Sequence, residues 1–215
     1  MNKTYDGSNY ICNMNLKEQK RKMAETIRSY NLKGWSPATS TNYSFRDLDQ
    51  NIWVSRSGVD KSEFSENDFI TVNSEGEPTG QFVGLKPSAE TLIHCVIYSL
   101  SQTSQVILHS HSVNPVVLSR MVGNHLVVSG FEIQKGFAGC ETHDAQISIP
   151  IFENSQDMVE FAGWMKERVD ELNYHCFIIR GHGTYAWGRD LFEAKRHLET
   201  LEYLCHCELL ERFTK

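Results

Sequence analysis

The sequence predicts a single domain of the α/β class, and the pattern of its apolar residues carries this prediction. Short apolar runs of strand length alternate with longer segments whose apolar residues recur every three or four positions, as in amphipathic helices. The two kinds of segment mix without a strict strand–helix–strand repeat, so the strand order cannot be read. A chain of 215 residues, 40% of them hydrophobic, is long enough for one substantial core. We expect one domain over 15–215, preceded by a loose tail over 1–14.

The first half of the chain is predicted to contain two helices and four strands. Asn15 can cap a helix over 15–34, and this helix brings three apolar residues onto one face, namely Met23, Ile27 and Tyr30. Strands are expected in GWSPATSTNYSFRD, NIWVSRSGVDK and DFITVN. Ser88 is the expected N-cap of a helix in KPSAETLIHCVIYSLSQ, whose buried stripe is expected to contain Leu92, Cys95 or Val96, and Leu100. The strand QVILHSHS follows.

The second half is predicted to contain strands in QISIPIF and HCFIIRGHGTYAWG and two further helices. The helix in SQDMVEFAGWMKERVDELN is expected to bury four apolar residues, namely Phe161, Met165, Val169 and Leu172. Asp190 and Glu193 form an expected capping box at the start of the final helix. The inward face of this last helix is expected to carry Ala194, Leu198, Leu201 and Cys205.

Composition and charge narrow the functional class. A formal net charge of −6 argues against nucleic acid as the main partner, because such proteins need clustered positive charge. No uninterrupted apolar stretch reaches the length of a membrane span, and the opening MNKTYDGSNYICNM has no basic start followed by a hydrophobic block. The six cysteines form no CxxC pair, which favours a reducing compartment. We therefore expect a cytoplasmic protein that acts on a small molecule.

Two histidines one residue apart, His109 and His111, close the apolar run VILHSHS. Because side chains on a strand alternate between faces, both imidazoles are expected on the same face. His182 stands between two glycines after another apolar strand, where the backbone can approach a ligand closely. Catalytic zinc sites use three protein ligands and leave one position open, so these histidines are a candidate zinc site. The alternative, which spacing alone leaves open, is that each is a satisfied polar residue near the core.

Two carboxylates are candidates for acid–base catalysis. Glu132 is flanked by Phe131 and Ile133, and apolar surroundings raise the pKa of a carboxyl group, as suits a general acid or base. Glu90 is expected in the first turn of its helix. Each has a simpler alternative, since Glu132 also fits a solvated loop and the helix dipole favours a negative side chain at the position of Glu90.

Two short turns, ATSTN at 38–42 and SRSGVDK at 55–61, offer hydroxyl groups and backbone N–H groups. Such nests bind phosphate without a large positive charge. Many surface turns look the same, so these turns by themselves do not assign a ligand.

The chain resembles the class II aldolase/adducin family from about Gly34 to Leu204. The resemblance rests on KPSAETLIH, LHSHS, GFEIQKGF, IPIFEN and, most specifically, RGHGTYAWGRDLFEAKRHLETLEYL. It implies a three-layer α/β/α fold around a mostly antiparallel sheet, forming one catalytic domain. It also implies a homo-oligomer, often a tetramer, with active sites between subunits.

The same resemblance implies roles for individual residues. One zinc ion per subunit would be bound by His109, His111 and His182, and Glu132 would be the catalytic acid/base. The substrate phosphate would be bound by four residues of the two turns, namely Thr39, Asn42, Ser57 and Gly58.

Within the family, the chain looks most like the hydro-lyases of methionine salvage. This similarity implies zinc-dependent removal of water from a ketose 1-phosphate that carries a methylthio group at its far end. Zinc would act as a Lewis acid, and Glu132 would protonate the hydroxyl that leaves carbon 4. The proton on carbon 3 would go to Glu132, to water or to Glu90, and the sequence does not decide among them.

Two other functions remain open at this stage. A zinc aldolase of the same family would break the bond between carbons 3 and 4 of a ketose 1-phosphate. Glu90 does not separate the two reactions, but GFEIQKGF favours dehydration, because elimination needs an acid near the leaving hydroxyl. A non-catalytic interaction domain of the adducin type would be expected to lack zinc ligands, and all three histidines are present.

Overall fold

The computed structural model describes residues 15–214, so the expected loose tail over 1–14 lies outside the described residues. Five α-helices lie within 15–214: α1 Leu16–Leu32, α2 Thr91–Leu100, α3 Val113–Leu118, α4 Met158–Glu167 and α5 Leu191–Thr214. The same residues contain eight strands: β1 Tyr43–Arg46, β2 Ile52–Ser55, β3 Phe69–Val72, β4 Val106–Ser110, β5 His125–Val128, β6 Ile147–Phe152, β7 Cys176–Ile179 and β8 Gly183–Gly188.

The eight strands form one sheet in the order β3-β2-β1-β4-β8-β7-β6-β5. Neighbouring strands pair antiparallel except β6 and β7, which are parallel, so the expectation of a mostly antiparallel sheet is confirmed. β4 lies beside β8 in the middle of the sheet, with Ser110 opposite Thr184 and His109 opposite Tyr185. This pairing brings two distant parts of the sequence side by side.

Alternate residues of the central strands contact two separate hydrophobic clusters. Val106 and Leu108 of β4 pack in a cluster with α1 and α5, whereas Ile107 packs in a cluster with α2 and α4. In β8, Ala186 belongs to the first cluster and Tyr185 to the second. Helices therefore cover both faces of the sheet, and each face of β4 and β8 is buried.

Helices α1 and α5 match their predictions. Asn15 accepts a 2.9 Å hydrogen bond from the backbone N–H of Glu18, and the predicted inner face of α1 is buried, namely Met23, Ile27 and Tyr30. Asp190 accepts a 2.7 Å hydrogen bond from the N–H of Glu193, whose carboxylate accepts from Arg189, so the capping box is half formed. The predicted inward residues of α5 are all fully buried, namely Ala194, Leu198, Leu201 and Cys205.

The prediction for α2 is wrong at its start. The helix begins at Thr91, with Glu90 rather than Ser88 at the capping position. The Ser88 hydroxyl instead accepts a 3.3 Å hydrogen bond from the N–H of Glu90, in the turn before the helix. Of the predicted stripe, Cys95 and Val96 are buried, whereas Leu92 and Leu100 are only partly buried.

Two further differences concern the remaining helices. Val169 is 38% exposed because α4 ends at Glu167, whereas the other predicted residues of that segment are buried, namely Phe161, Met165 and Leu172. The short helix α3 is not predicted by the apolar pattern, although Pro115 near its start is compatible with a first helical turn. None of the helices in residues 15–214 is long and apolar enough to cross a membrane.

Candidate active site

Three imidazoles meet where β4 and β8 end in the middle of the sheet. His109 lies within β4, His111 directly follows that strand, and His182 directly precedes β8. The Nε2 atom of His111 lies 2.7 Å from Nε2 of His109 and 3.0 Å from Nε2 of His182. The structure therefore brings together all three histidines of the predicted zinc site.

Hydrogen bonds to oxygen acceptors fix the proton position on two of these rings. His109 Nδ1 donates to the carbonyl oxygen of Thr184 at 2.9 Å, and His182 Nδ1 donates to Asn154 Oδ1 at 3.3 Å. Their Nε2 lone pairs are thus directed into the cluster. Burial, followed by the two neighbouring imidazoles, lowers the pKa of His111 to about 3, so the His111 ring is neutral at pH 7. Converging neutral imidazole nitrogens are the donor set that a divalent cation such as zinc prefers.

Glu90 adds a carboxylate to this cluster from the start of α2. Its Oε1 atom lies 2.9 Å from His182 Nε2, and its Oε2 atom lies 3.3 Å from His109 Nε2. Potential ligand atoms of Glu90 and the three histidines lie within 4.8 Å of one another. Within residues 15–214, this is the one group of such side chains that could hold a metal ion. Burial would by itself raise the pKa of Glu90, but in the metal-free cluster the neighbouring His109 and His182 outweigh burial and hold that pKa far below its usual range.

Two side chains hold the Glu90 carboxylate in place, and neither contact is predictable from local sequence pattern. Asn42 Nδ2 donates to Glu90 Oε2 at 2.6 Å, and Tyr185 Oη donates to the same oxygen at 2.9 Å. The Tyr185 ring also stacks on the ring of His109, with centroids 4.0 Å apart and planes at 16°. Tyr185 reaches the site because the register of β4 and β8 places it opposite His109.

His94 supports the same network from α2. Its Nε2–H donates to Asn42 Oδ1, and its Nδ1 accepts a 2.7 Å hydrogen bond from the hydroxyl of Ser44. Burial lowers the pKa of His94 to about 3, so the ring is neutral and can make both bonds at once. The sequence carried a signal for this residue, since His94 follows Glu90 by four positions and helical residues at that spacing share a face.

A cavity of about 240 Å³ opens beside the cluster, and its wall includes both Glu90 and His111. The wall also includes every residue predicted to bind phosphate, namely Thr39, Asn42, Ser57 and Gly58. The tertiary structure thus joins the two predicted nests to each other and to the imidazole cluster. A ligand bound in this cavity would lie against the cluster at one end.

The first of these turns has an unusual backbone. Ala38, Thr39 and Thr41 have φ angles of 53°, 59° and 71°, a region that favours glycine. Backbone strain of this kind is found mainly at ligand-binding and catalytic sites, where the surrounding structure maintains it. The geometry of this turn is therefore consistent with a binding loop.

Lys61, which was not among the predicted site residues, contributes a cationic side chain to the cavity wall. The side chain is 1% exposed, and its Nζ donates to the carbonyl oxygen of Val59 at 3.0 Å. Burial lowers the pKa of Lys61, since desolvation disfavours the charged form. An ammonium group has three donors, so the bond to Val59 leaves capacity for an anion.

Glu132 lies apart from the cluster of its own chain. It begins the 3-10 helix Glu132–Gly136, and it is absent from both the metal-binding group and the cavity wall. Its side chain is 73% exposed and makes a 2.6 Å ion pair with Lys135. The expectation that Phe131 and Ile133 raise its pKa is wrong, because the hydrogen bond from Lys135 lowers that pKa.

The helical turn that carries Glu132 is nevertheless firmly attached to α5. The N–H of Ala138 donates to His197 Nε2 at 3.1 Å, and His197 Nδ1 donates to the carbonyl oxygen of Trp187 at 2.7 Å. Gly136 packs so closely on Thr200 of α5 that a Cβ atom would overlap with the threonine hydroxyl. Glu132 is therefore an exposed carboxylate on a well-supported turn.

Comparison with known protein families and structures adds independent information. A family model described as "Class II Aldolase and Adducin N-terminal domain" matches residues 21–209. A protein of Picosynechococcus sp. named methylthioribulose-1-phosphate dehydratase is 50% identical over 193 residues, which cover 89% of this chain and 91% of that protein. A protein of Enterobacter sp. with the same name is 43% identical over 191 residues, 87% of this chain and 92% of its own.

Solved structures show the same fold at lower sequence similarity. The crystal structure of L-fuculose-1-phosphate aldolase from Thermus thermophilus aligns with a TM-score of 0.70 at 22% identity. The alignment covers 92% of this chain and 95% of the aldolase. This likeness concerns the fold alone.

Proposed function

The chain belongs to the class II aldolase and adducin family, and we propose that it dehydrates 5-methylthioribulose 1-phosphate to 2,3-diketo-5-methylthiopentyl 1-phosphate. The observation that carries the proposal is a single cavity whose wall combines a phosphate-type nest with Glu90 and His111. A ketose 1-phosphate with its phosphate in the nest would hold carbons 2 and 3 next to the imidazole cluster. The name shared by the relatives at 40–50% identity supports this substrate.

His109, His111 and His182 would hold one zinc ion per subunit. Their separations of 2.7 and 3.0 Å are close to the spacing of about 3.3 Å between ligands of a tetrahedral zinc ion. When bound, the metal would supply Lewis acidity, polarising the substrate carbonyl and offsetting negative charge on its oxygen. The protein's part is to keep the three rings oriented, which the bonds of His109 to Thr184 and of His182 to Asn154 support.

The substrate phosphate would be bound by Thr39, Asn42, Ser57 and Gly58. Lys61 would add the cation that a phosphate dianion requires, since its ammonium group has donors beyond the one that bonds to Val59. Binding an anion would also offset the cost of burying the lysine charge. The Asn42 side chain donates to Glu90, so its position links the phosphate pocket to the reacting carbons.

We propose that Glu90 is the base that accepts the proton from carbon 3. Of the two carboxylates left open by the sequence, Glu90 is the one that lies in contact with the imidazole cluster. Hydrogen bonds from Asn42 and Tyr185 to Oε2 orient the carboxylate and leave Oε1 directed toward His182. Glu90 would accept the carbon-3 proton and later return a proton to carbon 4 when the enol product becomes the diketone.

Glu132 is the acid we assign to the leaving hydroxyl, and we propose that it acts in the site of a neighbouring subunit. Its exposure and its position outside the cavity of its own chain support an intermolecular role. Glu132 would give a proton to the hydroxyl on carbon 4, which leaves as water, and then take the proton of the enol hydroxyl. With Glu90, this accounts for all protons of the reaction.

The proposal also includes the wider setting of the enzyme. We infer a cytoplasmic homo-oligomer, a tetramer, with its active sites between subunits. The helices on the two sides of the sheet, α1 with α5 and α2 with α4, would form the outer layers of a three-layer α/β/α arrangement. The whole described chain would act as one catalytic domain.

A zinc-dependent aldolase is the second candidate function. The contact of Glu90 with the imidazole cluster would serve this reaction as well as dehydration. In both reactions negative charge develops on the carbonyl oxygen of the substrate. The dehydratase breaks the bond between carbon 4 and its hydroxyl, whereas the aldolase breaks a carbon–carbon bond. The identity of the products therefore distinguishes them.

The proposal is tested by a product assay on zinc-loaded protein supplied with 5-methylthioribulose 1-phosphate. We expect the diketone from the native chain and none above background from His109→Ala or Glu132→Gln. Glu141→Gln changes another exposed glutamate and should leave the rate unchanged. Dihydroxyacetone phosphate as product would establish the aldolase instead, and an inert, folded, zinc-containing sample would exclude this substrate.

A further inference from the structure

Glu202 of α5 is a buried carboxylate beneath the proposed zinc site that the mechanism above does not use. It is 4% exposed, and burial raises its pKa. It lies on the opposite side of the sheet from the imidazole cluster, because its partners Ser110 and Thr184 point to the α5 face. Glu202 therefore cannot touch a substrate in the cavity, and its role has to be sought in what it holds.

The Glu202 carboxylate accepts hydrogen bonds from three hydroxyl groups. Ser110 Oγ and Thr184 Oγ1 each donate to Oε1 at 2.8 Å, and Ser112 Oγ donates to Oε2. All three hydroxyl-bearing residues are buried. A buried carboxylate with three charge-assisted bonds holds its donors strongly in position, because loss of the acceptor would leave three buried donors unsatisfied.

The positions of these hydroxyls alternate with the histidines. Ser110 lies between His109 and His111, and Thr184 follows His182 by two residues. Ser110 and Thr184 are also directly paired across β4 and β8, as the last pair before the strands end. One oxygen of Glu202 thus joins the two strand ends from which the histidines project.

Glu202 is also connected, through Thr184, to the orientation of the His109 ring. The carbonyl oxygen of Thr184 accepts the hydrogen bond from His109 Nδ1 that directs its Nε2 into the cluster. The hydroxyl of the same Thr184 is held by Glu202. Displacement of Thr184 would therefore change both the spacing of the strand ends and the tilt of the His109 ring.

We propose that Glu202 is a positioning residue for the metal site, acting through Ser110 and Thr184 to fix the separation and orientation of the histidines on β4 and β8. This inference rests on the metal-binding part of the proposed function. It extends that function by assigning a residue of α5, on the far side of the sheet, to metal affinity.

The test is a measurement of cobalt(II) and zinc(II) affinity by chelator competition, together with the visible absorption spectrum of the cobalt form. Glu202→Leu removes all three acceptor bonds, and we expect the metal dissociation constant to rise by about tenfold or more, with altered cobalt bands. Glu202→Gln keeps an acceptor oxygen for Ser110 and Thr184 and should restore most of the affinity.

The matched control is Glu193→Leu, which removes another buried glutamate of α5 that bonds to the backbone of Arg189. It should lower the melting temperature without changing metal affinity or the cobalt spectrum. If Glu202→Leu does not fold, Thr184→Val and Ser110→Ala remove single hydroxyls at nearly constant volume, and each should weaken metal binding.

The outcomes separate this inference from the metal site on which it rests. Native affinity and an unchanged cobalt spectrum in the Glu202 and Thr184 variants would overturn the positioning role alone. An equal loss of affinity in Glu193→Leu would also overturn it, by showing a general effect of stability. A native chain that binds neither cobalt nor zinc would overturn the metal site and this inference together.

Discussion

Tyr185 donates a 2.9 Å hydrogen bond to the carboxylate of Glu90. This bond joins β8, a central strand of the sheet, to the start of α2, 95 positions earlier in the chain. The Tyr185 ring lies between this carboxylate and the core, stacked on both His109 and Phe177. Burial, followed by the charge of Glu90, raises the pKa of Tyr185 well above its usual value, so the phenol keeps its proton and stays a donor. The position of Glu90 therefore depends on β8.

Tyr185→Phe tests this dependence. The change removes one of the two side-chain donors to Oε2 of the partly buried Glu90 carboxylate, and we expect kcat to fall about tenfold with a smaller change in KM. Steady-state kinetics of the dehydration reaction measure both constants. Tyr30→Phe is the matched control, since it removes the phenol of a buried tyrosine that packs in the cluster of α1 and α5, and it should leave kcat near the native value. Equal losses in both variants would argue against a specific role for Tyr185.

His94 predicts a dependence of stability on pH. Its folded-state pKa is about 3 because of burial, against 6.5 for an ordinary histidine, so the unfolded chain binds a proton that the folded chain does not. The free energy of unfolding should therefore be highest above pH 6.5 and should fall as the pH decreases, by about 2 kcal/mol at pH 5 from this residue.

Chemical denaturation of the metal-free protein at several pH values measures this effect. In His94→Gln the free energy of unfolding should decline less steeply between pH 6.5 and about 5. The slope should correspond to the uptake of up to one proton fewer on unfolding. The same substitution at the exposed His206 should leave the slope unchanged. A native slope in His94→Gln would mean that His94 is not held neutral.

Lys61→Met tests the proposed phosphate pocket. Methionine has a similar length but no charge, so the fold should be retained while the cation is lost. We expect KM for the sugar phosphate to rise about tenfold or more, with a smaller effect on kcat, because ion pairs with phosphate are charge-assisted. Competition by inorganic phosphate should weaken in parallel. Lys166→Met, at an exposed position of α4, serves as the control, and an unchanged KM in Lys61→Met would remove Lys61 from the pocket.

Gly136→Ala tests the attachment of the turn that carries Glu132. The new methyl group would overlap with the Thr200 hydroxyl, so we expect a loss of about 1–3 kcal/mol of stability and a lower kcat. Thr200→Ala removes the overlapping atom, and the double variant should recover much of both losses. A double variant no better than Gly136→Ala alone would show that the close contact with Thr200 is not the reason for glycine at this position.

The helices and the common face of His109 and His111 were largely predictable from local pattern. The faces of α1 and α5 follow from apolar spacing and capping residues, and the common face of His109 and His111 follows from the two-residue period of a strand. Local pattern was only partly right for α2, whose buried residues extend around the helix. Cys95 and Val96 of the predicted stripe are buried, whereas Leu92 and Leu100 are only partly buried. The raised pKa expected for Glu132 failed because flanking apolar residues do not determine exposure.

The sequence by itself determined which residue types stand at the site and which local elements carry them, since capping and side-chain periodicity act over a few positions. Only the tertiary structure decided how they meet. The antiparallel register of β4 and β8 brings His182 and Tyr185 to His109, and the packing of α2 brings Glu90 to the same cluster. These contacts depend on pairing between segments far apart in the chain. Strand pairing and burial are properties of the whole sheet and its helices, and no local stretch of residues encodes them.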